Sequence, residues 1–167
     1  MLRAHLRLLL FAAGLLAGVQ VPGFIRQYEV VVQAHLAEAR RALEPFAAIA
    51  RRHFGGDLDT LVERYRANPD PVVGATGDPV AALAARAAHL AAEAEALAGP
   101  WYARTWHVAV AADRELLAEA AAGYDYRVSL RPEVIAWGLG AGLLLSLLAD
   151  LALAAVARAG RRKPLLR

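Results

Sequence analysis

The sequence predicts an all-α membrane protein in which two transmembrane helices flank an antiparallel helical extracytoplasmic bundle. Three observations lead to this fold class. Two long apolar stretches lie near the ends of the 167-residue chain, the region between them repeats apolar residues at spacings of three and four, and both ends are basic. Spacings of three and four place side chains on one face of an α-helix, and a bilayer-spanning helix needs about 20 apolar residues.

The composition agrees with a helical chain that is associated with a membrane. Hydrophobic residues make up 58% of the sequence, and many of them are Ala and Leu, which both favour helices. The chain has no Cys, which excludes disulfide bonds and Cys-ligated metal or iron–sulfur sites. The middle region contains no Arg cluster interleaved with aromatic residues, so nucleic acid is not an expected partner.

The first apolar stretch, Leu8 to Ile25, contains 18 residues without a charge. Arg3 and Arg7 precede it, and a basic segment before a short apolar one is also typical of a cleaved secretory signal. The stretch continues past the small residues that a signal peptidase prefers, as far as Phe24 and Ile25. This continuation favours a retained membrane helix, with cleavage as the alternative.

The second apolar stretch, Val134 to Ala157, is interrupted by one charge, Asp150. Pro132 precedes it and suits the first turn of a helix. Trp137, near its beginning, is typical of an aromatic anchor at a membrane interface. The stretch is therefore predicted to be the second membrane helix.

The distribution of charge predicts the orientation. Residues 22–131 hold 12 Arg and 14 acidic residues, whereas the segments on either side are basic. Arg and Lys close to membrane helices remain on the cytoplasmic side. We therefore expect a protein of the bacterial inner membrane with both termini cytoplasmic, divided into a transmembrane helix at 1–23, a helical periplasmic domain at 24–131, a transmembrane helix at 132–157 and a basic cytoplasmic tail at 158–167.

Four helices are predicted between the two membrane helices. A long helix carries an apolar stripe from Ile25 to His53, with Pro45 as a site for a kink, and Gly55-Gly56 ends it. Asp57 is expected to cap a short helix, and Asp78 is expected to cap the next one, whose coiled-coil-like seam ends at Leu97. The seam comprises Val80, Leu83, Ala87, Leu90, Ala94 and Leu97. A single further helix is predicted from Pro100 to about Ala122, followed by an extended connection, YDYRVSL, at 124–130.

Both apolar stretches contain glycines four residues apart: Gly14 with Gly18, and Gly138 with Gly142. This spacing of small residues allows close approach between helices in lipid. The four glycines are therefore candidate helix-packing residues. Coincidence in two Gly- and Ala-rich segments is the alternative interpretation.

Asp150 is a candidate for an interhelical charge pair. At a rise of about 1.5 Å per residue, its depth in the second membrane helix falls between those of Arg7 and Arg3 in an antiparallel first helix. We therefore predict a pair between Asp150 and one of these two Arg residues. In the alternatives, the carboxylate reaches water at the headgroups, or it takes part in a proton or ion relay with Ser146.

The sequence contains no compact catalytic or metal-binding motif. The five His residues lack HExxH spacing, neither Ser129 nor Ser146 lies in a GxSxG motif, and no Gly-rich phosphate loop is present. Glu93 and Glu95 are interpreted as solvated residues on a helix surface. The chain is therefore expected to be neither an enzyme nor a holder of a metal or cofactor.

The segment PWYARTWH, at 100–107, is the most distinctive feature of the predicted periplasmic domain. One interpretation is that its aromatic residues pack in the core against the long helix. The other is a surface for a partner, either a protein or lipid headgroups, formed by Trp101, Tyr102, Arg104, Trp106 and His107.

Four segments resemble a known family: GVQVPGFIRQY (18–28), GGDLDTLVERYRANPDPV (55–72), GPWYARTWHVAVAADRELLAE (99–119) and RPEVIAWGLGAGLLL (131–145). They are similar to an uncharacterised family of short bacterial inner-membrane proteins, domain of unknown function 2937. The resemblance extends over nearly the whole chain. It implies two membrane helices around a helical extracytoplasmic region, and it implies no activity.

Two functional hypotheses follow. The first is a non-enzymatic, membrane-anchored interaction module, serving as a scaffold, a sensor or a subunit of a complex. Its partners would be the lipid bilayer together with a membrane or periplasmic protein, or a second copy of the chain. The second is a subunit of a transport or membrane-enzyme complex, to which the membrane helices contribute through Asp150.

Overall fold

The computed structural model describes residues 2–126 and 131–161, with side chains at 4–126 and 131–155. The described residues are helical for the most part and contain no strand, which confirms the predicted all-α class. They form eight helices: α1 (Leu2–Gly18), α2 (Val21–His53), α3 (Leu58–Arg66), α4 (Pro71–Gly74), α5 (Gly77–Ala96), α6 (Trp101–Val110), α7 (Arg114–Ala122) and α8 (Pro132–Arg161).

The chain divides into two compact units. One, the apolar-helix unit, combines residues 1–26 with residues 124–167, and the other, the central unit, comprises residues 27–123. The described residues include two helical segments that are long and apolar enough to cross a membrane, one within Ala4–His53 and one at Pro132–Ala155.

In the apolar-helix unit, α1 ends at Gly18, five residues before the predicted end of the first membrane helix at residue 23. Pro22 has no N–H to donate to the carbonyl of Gly18, so the helical hydrogen-bond pattern is interrupted there. The Gln20 N–H bonds instead to the carbonyl of Ala17 at 3.1 Å, and α2 then begins at Val21. The long helix therefore starts before Pro22, rather than after Gly23 as the sequence predicts.

Tyr124 explains why a polar residue occurs at the end of the first apolar stretch. Its hydroxyl lies 3.1 Å from the backbone carbonyl oxygen of Gln20 and 2.8 Å from Gln20 Oε1. The Tyr124 ring also makes an edge-to-face contact with Phe24, with ring centroids 5.6 Å apart. These contacts attach the segment that follows α7 to the beginning of α2.

The packing of α1 against α8 is determined by the four predicted glycines, which are all buried. A Cβ atom at Gly14 would lie 2.9 Å from the carbonyl oxygen of Ala141, and one at Gly18 would lie 2.7 Å from that of Trp137. At Gly138 and Gly142, a Cβ would come within 2.5 Å of Val19 Cγ1 and 2.9 Å of the Phe11 carbonyl oxygen, respectively. Real Cβ atoms do not approach other atoms so closely, so each glycine permits a backbone contact that a larger residue would prevent.

In the central unit, α2 supplies the longest part of the core. Its buried residues are Tyr28, Val31, Val32, Leu36, Ala39 and Ala50. Leu43 and Phe46 are half-buried, and His53 is exposed, so the predicted stripe does not continue to the end of the helix. The helix ends as predicted, since Gly55 and Gly56 have φ +62° and +93°, and the Gly56 N–H bonds back to the carbonyl of Ala50 at 3.0 Å.

Side-chain caps begin α3 and α4, whereas α5 begins without one. Asp57 accepts hydrogen bonds from the backbone N–H groups of Asp59 and Thr60, which confirms the predicted cap of α3. The segment between α3 and α5 contains one further helical turn, α4, capped by Asp70. The cap predicted at Asp78 is wrong: Asp78 lies inside the first turn of α5, and its Oδ1 is 2.7 Å from a terminal nitrogen of Arg66.

The buried face of α5 contains a carboxylate. Val80, Ala87, Leu90 and Leu97 are buried as the predicted seam requires, whereas Leu83 and Ala94 are half-buried. Glu93 is also buried, with 7% of its surface exposed. The interpretation of Glu93 as a solvated residue is therefore wrong, while Glu95 is exposed as expected.

The single helix predicted from Pro100 to Ala122 is wrong as well. The structure has two helices, α6 and α7, separated at residues 111–113. Asp113 has an extended backbone, with φ −60° and ψ 126°, and its carboxylate caps α7 through the N–H groups of Glu115 and Leu116. A capping Asp begins a new helix because its side chain replaces the missing backbone acceptor.

Paired substitutions in α8 test the glycine contact. Gly142→Ala should destabilise the full chain in detergent by about 1–3 kcal/mol, because the added methyl group meets the backbone of Phe11. Gly140→Ala is the matched control, since a Cβ at Gly140 meets no atom within 4 Å. Thermal unfolding followed by circular dichroism should therefore separate the two variants. Equal melting temperatures would contradict the close packing of α1 and α8.

Candidate functional site

Helix α6 has an exposed aromatic face, defined here as Trp101, Tyr102, Trp106 and Val110. Their exposed fractions are 61%, 62%, 70% and 59%. Tyr102, Trp106 and Val110 follow one another at intervals of four and so lie along one side of the helix. The rings of Trp101 and Tyr102 make an edge-to-face contact, with centroids 5.7 Å apart. Packing of these aromatic residues in the core, the other interpretation of the sequence, is therefore wrong.

The remaining members of the predicted partner surface differ from these aromatic residues. His107 is half-buried, and its side chain is directed towards Glu93 of α5. Arg104 is also half-buried, and its Nε is a buried atom that makes no hydrogen bond within the described residues. The structure thus brings Trp101, Tyr102 and Trp106 together on the exposed face, and His107 belongs to the interior.

A hydrogen-bond network, composed of Tyr28, Glu93, His107, Asp113 and His89, holds α6 in this orientation. It is buried at Tyr28 and Glu93 and reaches the surface at His89. The Tyr28 hydroxyl donates to Glu93 Oε2 at 2.7 Å and accepts from the Asp113 N–H at 3.0 Å. The same Glu93 oxygen lies 2.9 Å from His107 Nε2. Glu93 therefore links α5 to α2 and to α6, and Tyr28 extends the connection to the beginning of α7.

The network shifts the pKa values of two of its members. Burial and the hydrogen bond to Glu93 raise the pKa of Tyr28 far above its ordinary value, so its hydroxyl keeps its proton. The hydrogen bond from His89 to Asp113 Oδ2, 2.9 Å long, and the N–H groups of α7 lower the pKa of Asp113. The stabilisation linked to Asp113 is present above the ordinary Asp pKa and is lost as the pH falls through the lowered value.

A further His–carboxylate pair joins α2 to α7. His35 Nε2 lies 2.7 Å from Glu119 Oε2, and the other ring nitrogen lies 3.4 Å from a terminal nitrogen of Arg86 on α5. His35, His89 and His107 therefore each contact a carboxylate on another helix. Among the described residues, no group of three or more His, Asp or Glu side chains is arranged to hold a metal ion.

The sequence contained one signal that could have revealed this network. Glu93 follows Leu90 by three residues and precedes Leu97 by four, which are the spacings of the buried face of α5. A carboxylate at such a position requires hydrogen-bond donors. The identity of these donors could not be found from spacing, because Tyr28 and His107 are 65 and 14 residues away in the chain.

In the apolar-helix unit, Arg7 and Asp150 lie close together. The nearest guanidinium nitrogen of Arg7 is 3.6 Å from Asp150 Oδ2, and the two side chains are 62% and 49% exposed. The side chain of Arg3, the other predicted partner of Asp150, is outside the described residues. Ser146, one turn before Asp150 on α8, is buried with 6% of its surface exposed.

Removing one oxygen tests the importance of the buried network. Tyr28→Phe deletes the donor to Glu93 and the acceptor of the Asp113 N–H in a fully buried position. We expect a loss of about 1–3 kcal/mol in the free energy of unfolding, because two buried polar groups lose a partner. The matched control is Tyr126→Phe, where the side chain is 70% exposed and little change is expected. Equal stability of the two variants would show that the network is dispensable.

Comparison with known proteins identifies the family of the chain and no activity. No curated protein and no solved structure matches it. The model of a family described as "Protein of unknown function (DUF2937)" matches residues 2–162, nearly the whole chain. This confirms the resemblance found in the four sequence segments, and the chain belongs to the DUF2937 family.

Proposed function

We propose that the chain is a non-enzymatic interaction module anchored in the bacterial inner membrane, serving as a scaffold, a sensor or a subunit of a complex. In this proposal α1 and α8 cross the membrane, both termini are cytoplasmic, and residues 24–131 form a periplasmic domain. Lipid is the first partner, and a membrane or periplasmic protein or a second copy of the chain is the other.

The observation that carries the proposal is the arrangement of apolar side chains on α1 and α8. Their glycines face each other, whereas large side chains on the outer faces of both helices are exposed. Leu8, Leu9 and Leu16 of α1 are each more than 60% exposed. A continuous exposed leucine surface is unfavourable in water, at about 25 cal/mol per Å² of apolar area, and is the usual surface of a helix in lipid.

The charge distribution supports the proposed orientation. Arg3 and Arg7 precede the first apolar stretch, and five basic residues lie in the last ten of the chain. Residues 22–131 carry slightly more acidic than basic residues. Positive charges next to membrane helices are retained in the cytoplasm, whereas long translocated regions are largely exempt from this rule.

The use of the polar side chains supports a non-enzymatic role. The His, Tyr and acidic residues that meet in the central unit bond to one another across helices, and in this way they hold α2, α5, α6 and α7 together. The largest exposed aromatic side chains of the unit lie on α6. Such a combination of a rigid scaffold and an exposed aromatic surface suits binding.

The absence of Cys from the sequence makes the topology simple to test. Ala67→Cys places a thiol at an exposed position of the central unit, and Ala4→Cys places one at an exposed position of α1. In intact spheroplasts, a membrane-impermeant maleimide should label Ala67→Cys, and it should label Ala4→Cys only after the membrane is disrupted.

Two outcomes would contradict the proposed topology. Labelling of both positions in intact spheroplasts would overturn the orientation. An intact mass showing that the mature Ala4→Cys protein lacks its N-terminal segment would support the cleaved signal instead.

The alternative function is a subunit of a transport or membrane-enzyme complex in which Asp150 takes part. The observation in its favour is that Asp150 is the one acidic residue within the second apolar stretch. An ionisable residue at membrane depth often has a functional role. The proximity of Arg7, at 3.6 Å, favours a structural role in place of a relay.

A double-mutant cycle separates these two roles of Asp150. Asp150→Asn and Arg7→Gln should each lower stability in detergent, and the double variant should lose less than the sum, by about 0.5–3 kcal/mol for groups in contact. The control cycle pairs Asp150→Asn with Arg52→Gln, an exposed residue of the central unit, and should be additive. Strict additivity with Arg7 and unchanged stability of Asp150→Asn would favour the transport alternative.

A further inference from the structure

The exposed aromatic face of α6 differs from the other exposed apolar residues of the central unit. Val30 and Ile49 of α2 and Val72 of α4 are exposed singly. On α6, by contrast, two Trp, one Tyr and one Val share a surface that extends over about 12 Å from Tyr102 to Val110, at about 1.5 Å per residue. Concentrated apolar surface of this kind marks an interaction site, whereas scattered residues do not.

The chemistry of this face suits the boundary between lipid and water. Trp and Tyr combine an apolar ring with one polar group, and they are enriched where membrane proteins meet the headgroups. A helix that lies in this boundary buries its apolar face to a depth of about 5–10 Å. Helix α6 is short, and its aromatic residues occupy the side that is not packed against the core, as such a position requires.

The charge around α6 is also suited to a bacterial membrane surface, which is anionic. Residues 96–112 contain no Asp or Glu, although the rest of the central unit contains 13 acidic residues and 8 Arg. The one permanently charged side chain in this segment is that of Arg104. An acid-free segment with a cation experiences no repulsion from lipid phosphates.

Contacts within the central unit place α6 at the end where the chain enters and leaves the unit. A Cβ at Gly123, the last residue of the unit, would lie 3.2 Å from Gln27 Nε2, so the two ends of the unit meet. Tyr28, which follows Gln27 in the chain, bonds to Glu93, and Glu93 bonds to His107 of α6. The residues that continue from these two ends lead into the two apolar stretches.

From these observations we propose that the aromatic face of α6 docks on the lipid headgroup layer of the membrane that holds the chain. This inference rests on the proposed membrane anchoring. Because both ends of the central unit continue into membrane helices, lipid is present beside this end of the unit at high effective concentration. Docking would fix the orientation of the central unit against the membrane surface.

Tryptophan fluorescence of the full chain in lipid nanodiscs tests the proposal. Trp137→Phe leaves Trp101 and Trp106 as the two reporters of the face. Lipids brominated near the headgroup end of their acyl chains should roughly halve the emission of this variant, as for rings held at headgroup level. Lipids brominated near the terminal methyl group should quench it less, and aqueous iodide should have little access.

A matched control uses an exposed apolar position far from α6. Val72 is 79% exposed and lies in α4, five residues before the beginning of α5 at Gly77. Gly77 is about 24 Å from Glu93 along α5, at about 1.5 Å per residue. Val72→Trp, in a chain whose three native Trp residues are replaced by Phe, should be quenched by iodide and unaffected by either brominated lipid.

The outcomes separate this inference from the anchoring on which it rests. A variant that keeps Trp137 alone reports on α8, and its quenching by brominated lipid indicates anchoring. If Trp137 is quenched while Trp101 and Trp106 respond to iodide alone, the face lies in water and the lipid docking proposal is overturned, which leaves a protein as the occupant. If none of the three responds to brominated lipid, the anchoring itself is wrong.

Discussion

The buried carboxylate of Glu93 is the constraint on which the central unit depends. A carboxylate removed from water is costly, by several kcal/mol, unless donors surround it. Tyr28 and His107 supply these donors from two other helices, at 2.7 and 2.9 Å. The arrangement of α2, α5 and α6 is therefore specified by directional bonds, as well as by a core that consists largely of Ala, Val and Leu side chains. Small side chains alone would pack acceptably in several registers, whereas one shared acceptor oxygen restricts the choice.

The apolar-helix unit solves the same problem of specificity by shape. Gly14 and Gly18 face Gly138 and Gly142 across an interface in which backbone atoms meet directly. In the lipid environment that we propose for α1 and α8, apolar helices gain nothing by hiding leucine from a solvent that is equally apolar, so close packing and polar contacts would determine which faces associate. The absence of side chains at four positions defines this interface, and the contact between Arg7 and Asp150 adds one polar interaction beyond it.

The glycine contact between α1 and α8 and several local features could be predicted from the sequence, whereas the hydrogen bonds between helices of the central unit could not. The end of α2 at Gly55-Gly56 and the cap at Asp57 depend on residues within one turn, so the sequence pattern was sufficient. The break between α6 and α7 was missed because Asp113 follows a run of helix-forming residues. Its side chain caps α7 locally, and its N–H bonds to the Tyr28 hydroxyl, 85 residues away, a contact that no sequence pattern indicates. Similarly, the position of Glu93 on the buried face was visible in its spacing, but the donors that make burial acceptable were not.

The aromatic residues of the segment PWYARTWH and its His107 have different roles because His107 bonds to Glu93. Spacing alone allowed the aromatic residues of α6 to face the core, where Trp and Tyr would have contributed a large apolar area. The bond between His107 and Glu93 fixes the rotation of the helix about its axis, and Val108 becomes the buried residue beside it. Trp106, one position before His107, is then directed away from the core, with Tyr102 and Val110 on the same side. The exposed aromatic surface is thus a consequence of the interior hydrogen bonds, and a change that breaks them would alter the orientation of the surface as well as the stability of the unit.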